Sequence, residues 1–109
     1  DEAGEVILVP ADQIRFAQNS IGSTFKDGRS VQGLIDSLRT GATTADDVPP
    51  IRVFQRDGML FTLDNRRLYA FQEAGVPIRA VAATAEEVAA ESWKFTTRNN
   101  GISVIIRNK

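Results

Sequence analysis

The chain has 109 residues, 42% of them hydrophobic and 25% charged, with a formal net charge of −1, the profile of one ordinary globular domain spanning 1–109. It contains no cysteine and no histidine, which excludes disulfides, thiolate nucleophiles and Cys-based metal sites and removes the side chain most used to move protons near neutral pH. The charge balance offers no global basic field for nucleic acid, yet ten of the thirteen cationic residues are arginine, the better bidentate ligand for phosphate.

Any catalysis must therefore use carboxylates, hydroxyls, amides, Arg or Lys. No apolar run approaches the roughly 18 residues of a membrane span. The sequence opens on Asp1 with no visible signal peptide, which leads to the expectation of a mature product or of one domain of something longer.

In chain order, Glu5 to Val9 is an apolar run closed by Pro10 and reads as a strand. Ile14, Phe16 and Gln18 alternate with other residues and suggest a second. Asn19 to Arg29, rich in Ser, Thr and Gly, predicts a loop with a turn at Asp27-Gly28. Ser30 caps a helix whose Val31, Leu34, Ile35 and Leu38 share one face, with Gly41 as its C-cap. After the polar segment 42–47, Pro49-Pro50 leads into a strand over Ile51 to Phe54, and Asp57-Gly58 turns it back through Met59 to Leu63. Asp64 then stands as the N-cap of a helix over Asn65 to Ala74 ended by Gly75. Pro77 to Ala82 predicts a strand, and Thr84 with Glu87 a capping box for a short helix. Trp93 to Thr97 and Ile102 to Ile106, joined by Asn99-Asn100-Gly101, predict a closing β-hairpin, with Trp93 and Phe95 read as core or hairpin packing in preference to a stacking platform for bases. Hairpins outnumber βαβ units, so the expected class is α+β with a mixed sheet and about three helices.

The strongest chemical candidate is the junction Leu63-Asp64-Asn65-Arg66-Arg67. A strand runs straight into a helix start, where free N–H groups and the helix dipole favour an anion. Two arginines in that first turn oppose the dipole, and a bound phosphate or carboxylate would rationalise them. The plainer alternative has Asp64 only capping, Arg67 paired with Glu73 or another acid, and Arg66 solvated. A weaker candidate is the hydroxyl-rich loop with Ser20, Ser23, Thr24, Lys26 and Arg29, which either holds phosphate oxygens or is simply polar. The acid pairs Asp46-Asp47 and Glu86-Glu87 read as structural.

Val48-Pro49-Pro50-Ile51-Arg52-Val53, the Asp57-Gly58 turn, Leu63-Asp64-Asn65-Arg66-Arg67-Leu68-Tyr69-Ala70 and Ala74-Gly75-Val76-Pro77-Ile78 together resemble the ParB/sulfiredoxin-like superfamily, over roughly residues 14 to 82. There a "PI-x-V" strand precedes a hairpin, a Gly-Glu-Arg-Arg or Gly-Cys-His-Arg box opens a helix, and an Ala-Gly pair closes it. The family box binds nucleotide phosphates or handles phosphorylated substrates, in CTP-binding segregation proteins, ATP-using sulfiredoxins, a free-serine kinase and ParB-like nucleases.

The resemblance implies that Arg66 and Arg67 are phosphate ligands. Asp64 stands where the box has Gly, and Asn65 where it has Glu or Cys, so sulfiredoxin's thiol chemistry is excluded in this chain. The Asp-Asn-Arg-Arg box with the Trp-Lys-Phe-Thr-Thr tail also resembles C-terminal domains of polymorphic and contact-dependent inhibition toxins of bacteria. That resemblance implies a secreted nuclease module delivered to a target cell's cytoplasm and a cognate immunity protein. On it, Asp64 would act as base or metal holder, Asn65 would orient substrate, and Arg66 and Arg67 would clamp phosphate, with Lys26, Arg29, Ser23 and Thr24 as further contacts and nucleic acid as partner. The rival expectations are a nucleotide-binding or phosphotransfer module using Mg²⁺ or a nucleoside triphosphate, and a non-catalytic interaction domain.

Overall fold

The computed structural model describes residues 5–107. Its principal sheet has five strands: β1 (Val6–Val9), β2 (Arg15–Phe16), β4 (Ile51–Arg56), β5 (Met59–Thr62) and β6 (Ile78–Ala82), in the order β1-β6-β4-β5-β2. β4 and β5 form the antiparallel hairpin expected from Asp57-Gly58, where both turn residues take positive φ (54° and 77°). β1 lies antiparallel to β6, while β4–β6 and β2–β5 are parallel, so the sheet is mixed.

Three α-helices, α1 (Val31–Thr40), α2 (Asn65–Ala74) and α3 (Ala85–Ala90), complete the domain. Ser30 Oγ accepts from Gly33 N at 2.9 Å, and Gly41 and Gly75 close their helices in the left-handed conformation. Thr84 and Glu87 form the reciprocal box at the head of α3. Val31, Ile35 and Leu38 of α1, Leu68 and Phe71 of α2, and Ile51, Ile78 and Ala80 of the sheet bury together in one core. Alternate residues serve the other side of the sheet, where Phe61 stacks on Phe54 and meets Phe95 edge-on at 5.0 Å between centroids.

Two expectations need correction. The segment 19–29 is not all loop: β3 (Ser20–Gly22) lies within it. The C-terminal β-hairpin does not form. Ser92–Lys94 is a 3₁₀ turn, and β7 (Ile105–Arg107) instead pairs in parallel with β3, Ile21 opposite Ile106. The Asn99-Asn100-Gly101 turn exists, with Asn100 and Gly101 at positive φ, but it docks on β2. Gly101 O accepts from Phe16 N at 3.0 Å, and Ala17 O accepts from both Thr96 N and Thr97 N. The strand-like residues on either side of the turn therefore satisfy their backbone on segment 16–22 rather than on each other.

Candidate functional site

The run Thr62-Leu63-Asp64 carries the chain from β5 into α2 and is fastened to β4 at one residue. Arg52 O accepts from Thr62 Oγ1 at 2.8 Å and from Leu63 N at 3.0 Å. Arg52 also donates to the Asp64 carboxylate three times: its backbone N–H at 2.8 Å and Nε at 3.1 Å to Oδ2, and Nη2 at 2.7 Å to Oδ1. Asp64 occupies the N-cap position, but its side chain does not cap α2. The carboxylate turns to the guanidinium because a bidentate charge-assisted pair outweighs a bond to a neutral amide. The first turn of α2 is thus left without a side-chain cap.

The ion pairing continues outward. Arg52 Nη1 reaches Glu91 at 2.6 Å, and Glu91 in turn holds Lys94 Nζ at 2.6 Å, which also donates to Leu63 O at 3.1 Å. Burial alone would push the Asp64 carboxyl up, but hydrogen bonds from the Arg52 guanidinium and backbone, with the charges of Arg67 and Arg52, hold it below its ordinary value. The Arg52 hydrogen bond likewise holds Glu91 low against desolvation, helped by Lys94. Arg52 is raised chiefly by its bond to Asp64.

The box residues part company here. Asn65 is buried, 2% exposed, and its Oδ1 accepts from Ala17 N at 2.7 Å and Gln18 N at 3.3 Å, while Nδ2 donates to Gln18 Oε1. Arg67 pairs with an acid, as the plainer alternative held, but with Asp64 Oδ1 at 3.3 Å and not with Glu73, and it donates to Pro49 O and Pro50 O. Arg66, by contrast, has no acid and no acceptor among the described residues, and its Nε is enclosed without a hydrogen bond. Its guanidinium lies over Gly22: a Cβ there would stand 3.4 Å from Arg66 Nη2 and 3.8 Å from Arg107 Nη2. Two guanidinium groups therefore approach the same bare stretch of backbone. Arg107 touches Ser20 Oγ at 3.1 Å and pairs with no acid among the described residues.

A cavity of about 1110 Å³ opens at this junction between α1, the start of α2 and the 3₁₀ turn at Ser92–Lys94. Its wall carries six cationic side chains (Lys26, Arg29, Arg52, Arg66, Arg67, Lys94) against four anionic ones (Asp27, Asp47, Asp64, Glu91), a local excess of positive charge in a chain whose net charge is −1. The acids are engaged internally: Asp27 pairs with Arg29, and Asp47 accepts from Thr44 N. Of the residues singled out in the sequence, Asp64, Asn65, Arg66, Arg67, Lys26 and Arg29 line this cavity, whereas Ser23 and Thr24 do not. Ser23 O instead accepts from Val31 N, and Thr24 bridges to Ser30.

Sequence reasoning missed Arg52, Glu91, Lys94 and Arg107; the Glu91–Lys94 pair is local, but the contacts that bring these residues to the site span 12 residues or more. It also placed Trp93 among packing residues. The side chain is instead 68% exposed, on the cavity wall.

No family model matches the chain, and no curated protein sequence matches it. Among solved structures, a sulfiredoxin from Arabidopsis thaliana superposes with a TM-score of 0.50 at 23% identity, covering 81% of this chain and 97% of that one. The fold is sulfiredoxin-like. At that identity the likeness speaks for architecture alone, and the chemistry must be read from the residues present.

Proposed function

We propose that this domain binds a phosphate-bearing ligand in the cavity at the head of α2, with Arg66 as the principal phosphate ligand and Lys26 and the uncapped first-turn amides of α2 as further donors. One observation carries the reading. Of the three arginines at this junction, Arg52 and Arg67 are engaged by Asp64, Glu91 and proline carbonyls, while Arg66 alone has no protein acceptor among the described residues. A guanidinium held beside a second one, with no counter-ion among the described residues, is a ready donor to an oxyanion. Asp64 and Asn65 then act as positioning residues: Asp64 fixes Arg52 and Arg67, and Asn65 ties α2 to segment 17–18.

A nucleotide-binding or phosphotransfer role suits this arrangement better than phosphodiester cleavage. Both oxygens of Asp64 are occupied and its carboxyl is held ionised by the arginines, so no unengaged base stands beside Arg66. Among the described residues no three acids stand close enough to share a metal ion, so Mg²⁺ would arrive with its phosphate ligand rather than in a protein cage. The structural neighbour supports the fold and not the toxin resemblance, and secretion, delivery and an immunity partner rest on the sequence likeness.

Calorimetric titration with nucleoside triphosphates and with inorganic triphosphate tests the proposal, Arg66→Ala being expected to weaken binding about tenfold or more. Incubation with DNA and RNA, with and without Mg²⁺, tests the nuclease reading. Cleavage by the native chain that Arg66→Ala abolishes would restore that reading, and growth arrest on expression in a bacterial cell would support the toxin one.

A further inference from the structure

Trp93 is the largest apolar side chain in the molecule and one of its most exposed, at 68%. Tryptophan is highly buried on average, so a ring left in water on a cavity wall needs a reason. Its neighbour Phe95 shows the ordinary outcome, turned in against Phe61 and covered by Arg56, whose guanidinium carbon lies 4.2 Å from the ring centroid.

Trp93 is also held in a defined place. It sits on the 3₁₀ turn Ser92–Lys94, closed by Lys94 N to Glu91 O at 2.9 Å and Phe95 N to Ser92 O at 3.0 Å. That turn is joined through Lys94, Glu91, Arg52 and Asp64 to the residue that opens α2, two positions before Arg66. An aromatic face and an unpartnered guanidinium thus line one cavity, and one chain of ion pairs ties the turn that carries the first to the head of the helix that carries the second. Lys94 Nζ lies 5.7 Å from the ring centroid, adding positive charge beside it.

We propose that Trp93 is a stacking platform for the base of a nucleoside phosphate whose phosphate groups sit at Arg66. The inference rests on the phosphate reading of Arg66 and names the ligand class: a small anion carrying a planar aromatic ring. Stacking on an aromatic side chain tolerates any base, because every base offers a π-face, so the site selects for the presence of a base rather than for its identity.

The chain has one tryptophan, so its fluorescence reports this residue alone. ATP is expected to quench the emission, whereas inorganic triphosphate binds calorimetrically with little quenching. Trp93→Ala is expected to weaken ATP binding about tenfold or more while leaving inorganic triphosphate unchanged, and Trp93→Phe to keep most of the affinity. If Trp93→Ala binds ATP as the native chain does while Arg66→Ala binds it about tenfold or more weakly, the platform is refuted and the phosphate site stands. If neither ATP nor inorganic triphosphate binds, the phosphate reading falls and takes this inference with it. Trp93-dependent binding of a short oligothymidylate without binding of ATP overturns the mononucleotide assignment in favour of a single strand.

Discussion

Arg52 and Asp64 are joined through both the backbone and the side chain of the arginine, with three donors meeting one carboxylate at 2.7–3.1 Å. The Asp64 side chain is 8% exposed and that of Arg52 25%. Removing the acid leaves the Arg52 backbone N–H unpaired and its guanidinium hydrogen-bonded to Glu91 alone. Asp64→Ala is therefore expected to cost about 2–4 kcal/mol at neutral pH, below the figure for a fully buried pair because Arg52 keeps contact with solvent. Urea denaturation of the two proteins measures it, and a loss under about 0.5 kcal/mol would contradict the role given to the pair.

The same pair sets a pH dependence. The folded-state carboxyl of Asp64 is held below its ordinary value, and so is that of Glu91. Their stabilisation is present in full above the unfolded carboxylate range, roughly pH 4, and is lost as pH falls through the lower folded values. The stability gap between the native chain and Asp64→Ala should be constant from about pH 5 to 7 and shrink below about pH 4. A gap that widened on acidification would reverse the sign and overturn the assignment.

Asn65 does for segment 17–18 what Asp64 does for β4. Its Oδ1 satisfies Ala17 N and Gln18 N in a buried setting. Asn65→Ala should destabilise the fold by about 2–3 kcal/mol by leaving those donors unpaired. Thermal melts with amide exchange at Ala17 read this out, and unchanged protection there would show that the bond is dispensable.

Local signals in the sequence located most of this frame. Ser30, Gly41 and Gly75 mark helix ends by rules that act within a few residues, and Asp57-Gly58 marks its hairpin in the same way. The cavity's Arg66 was visible because it stands beside a helix start. Relationships that span the chain were not visible. An apolar run such as Ile102–Ile106 alternates identically whether it folds back on Trp93–Thr97 or pairs in parallel with Ser20–Gly22, and no local rule separates the two. The N-cap rule placed Asp64 correctly at the head of α2 but not its carboxylate, because Arg52, twelve positions earlier, is a stronger partner than a helix amide. Trp93 was misplaced by the general tendency of tryptophan to be buried, a tendency that says nothing about one particular ring.

The docked C-terminal turn supplies a stringent comparison between glycines. Gly101 has φ of 74° and lies so close to β2 that an added Cβ would meet Phe16 O, with Phe16 N only 2.8 Å away. Gly58, at φ 77°, has open space around it. Both substitutions to alanine incur the left-handed strain of about 1–2 kcal/mol, but only Gly101→Ala adds a clash with backbone. Gly101→Ala should be the more destabilising of the two and should release residues near Thr97 and Ile105 to proteolysis. Equal melting temperatures for the two variants would show that the turn does not rest on β2.

Arg66 and Arg67 are neighbours whose substitutions should act on different properties. Arg67 spans Asp64 Oδ1 at 3.3 Å and Pro49 O at 2.9 Å, tying the head of α2 to the entry of β4. Arg67→Ala should lower stability by about 1–2 kcal/mol. Arg66 has no such bonds, and its enclosed Nε lacks an acceptor, so Arg66→Ala should leave stability within about 0.5 kcal/mol of native or raise it slightly. Its effect should fall on ligand instead, with triphosphate affinity down about tenfold or more, because a charge-assisted bond to phosphate is lost and nothing internal replaces it. Raising the salt concentration should weaken triphosphate binding to the native chain and have less effect on Arg66→Ala, since a smaller share of the variant's binding comes from charge. Calorimetry paired with thermal melts on both variants separates the two roles. If Arg66→Ala unfolds the protein while Arg67→Ala only weakens ligand, the roles are exchanged and the phosphate site must be built on Arg67.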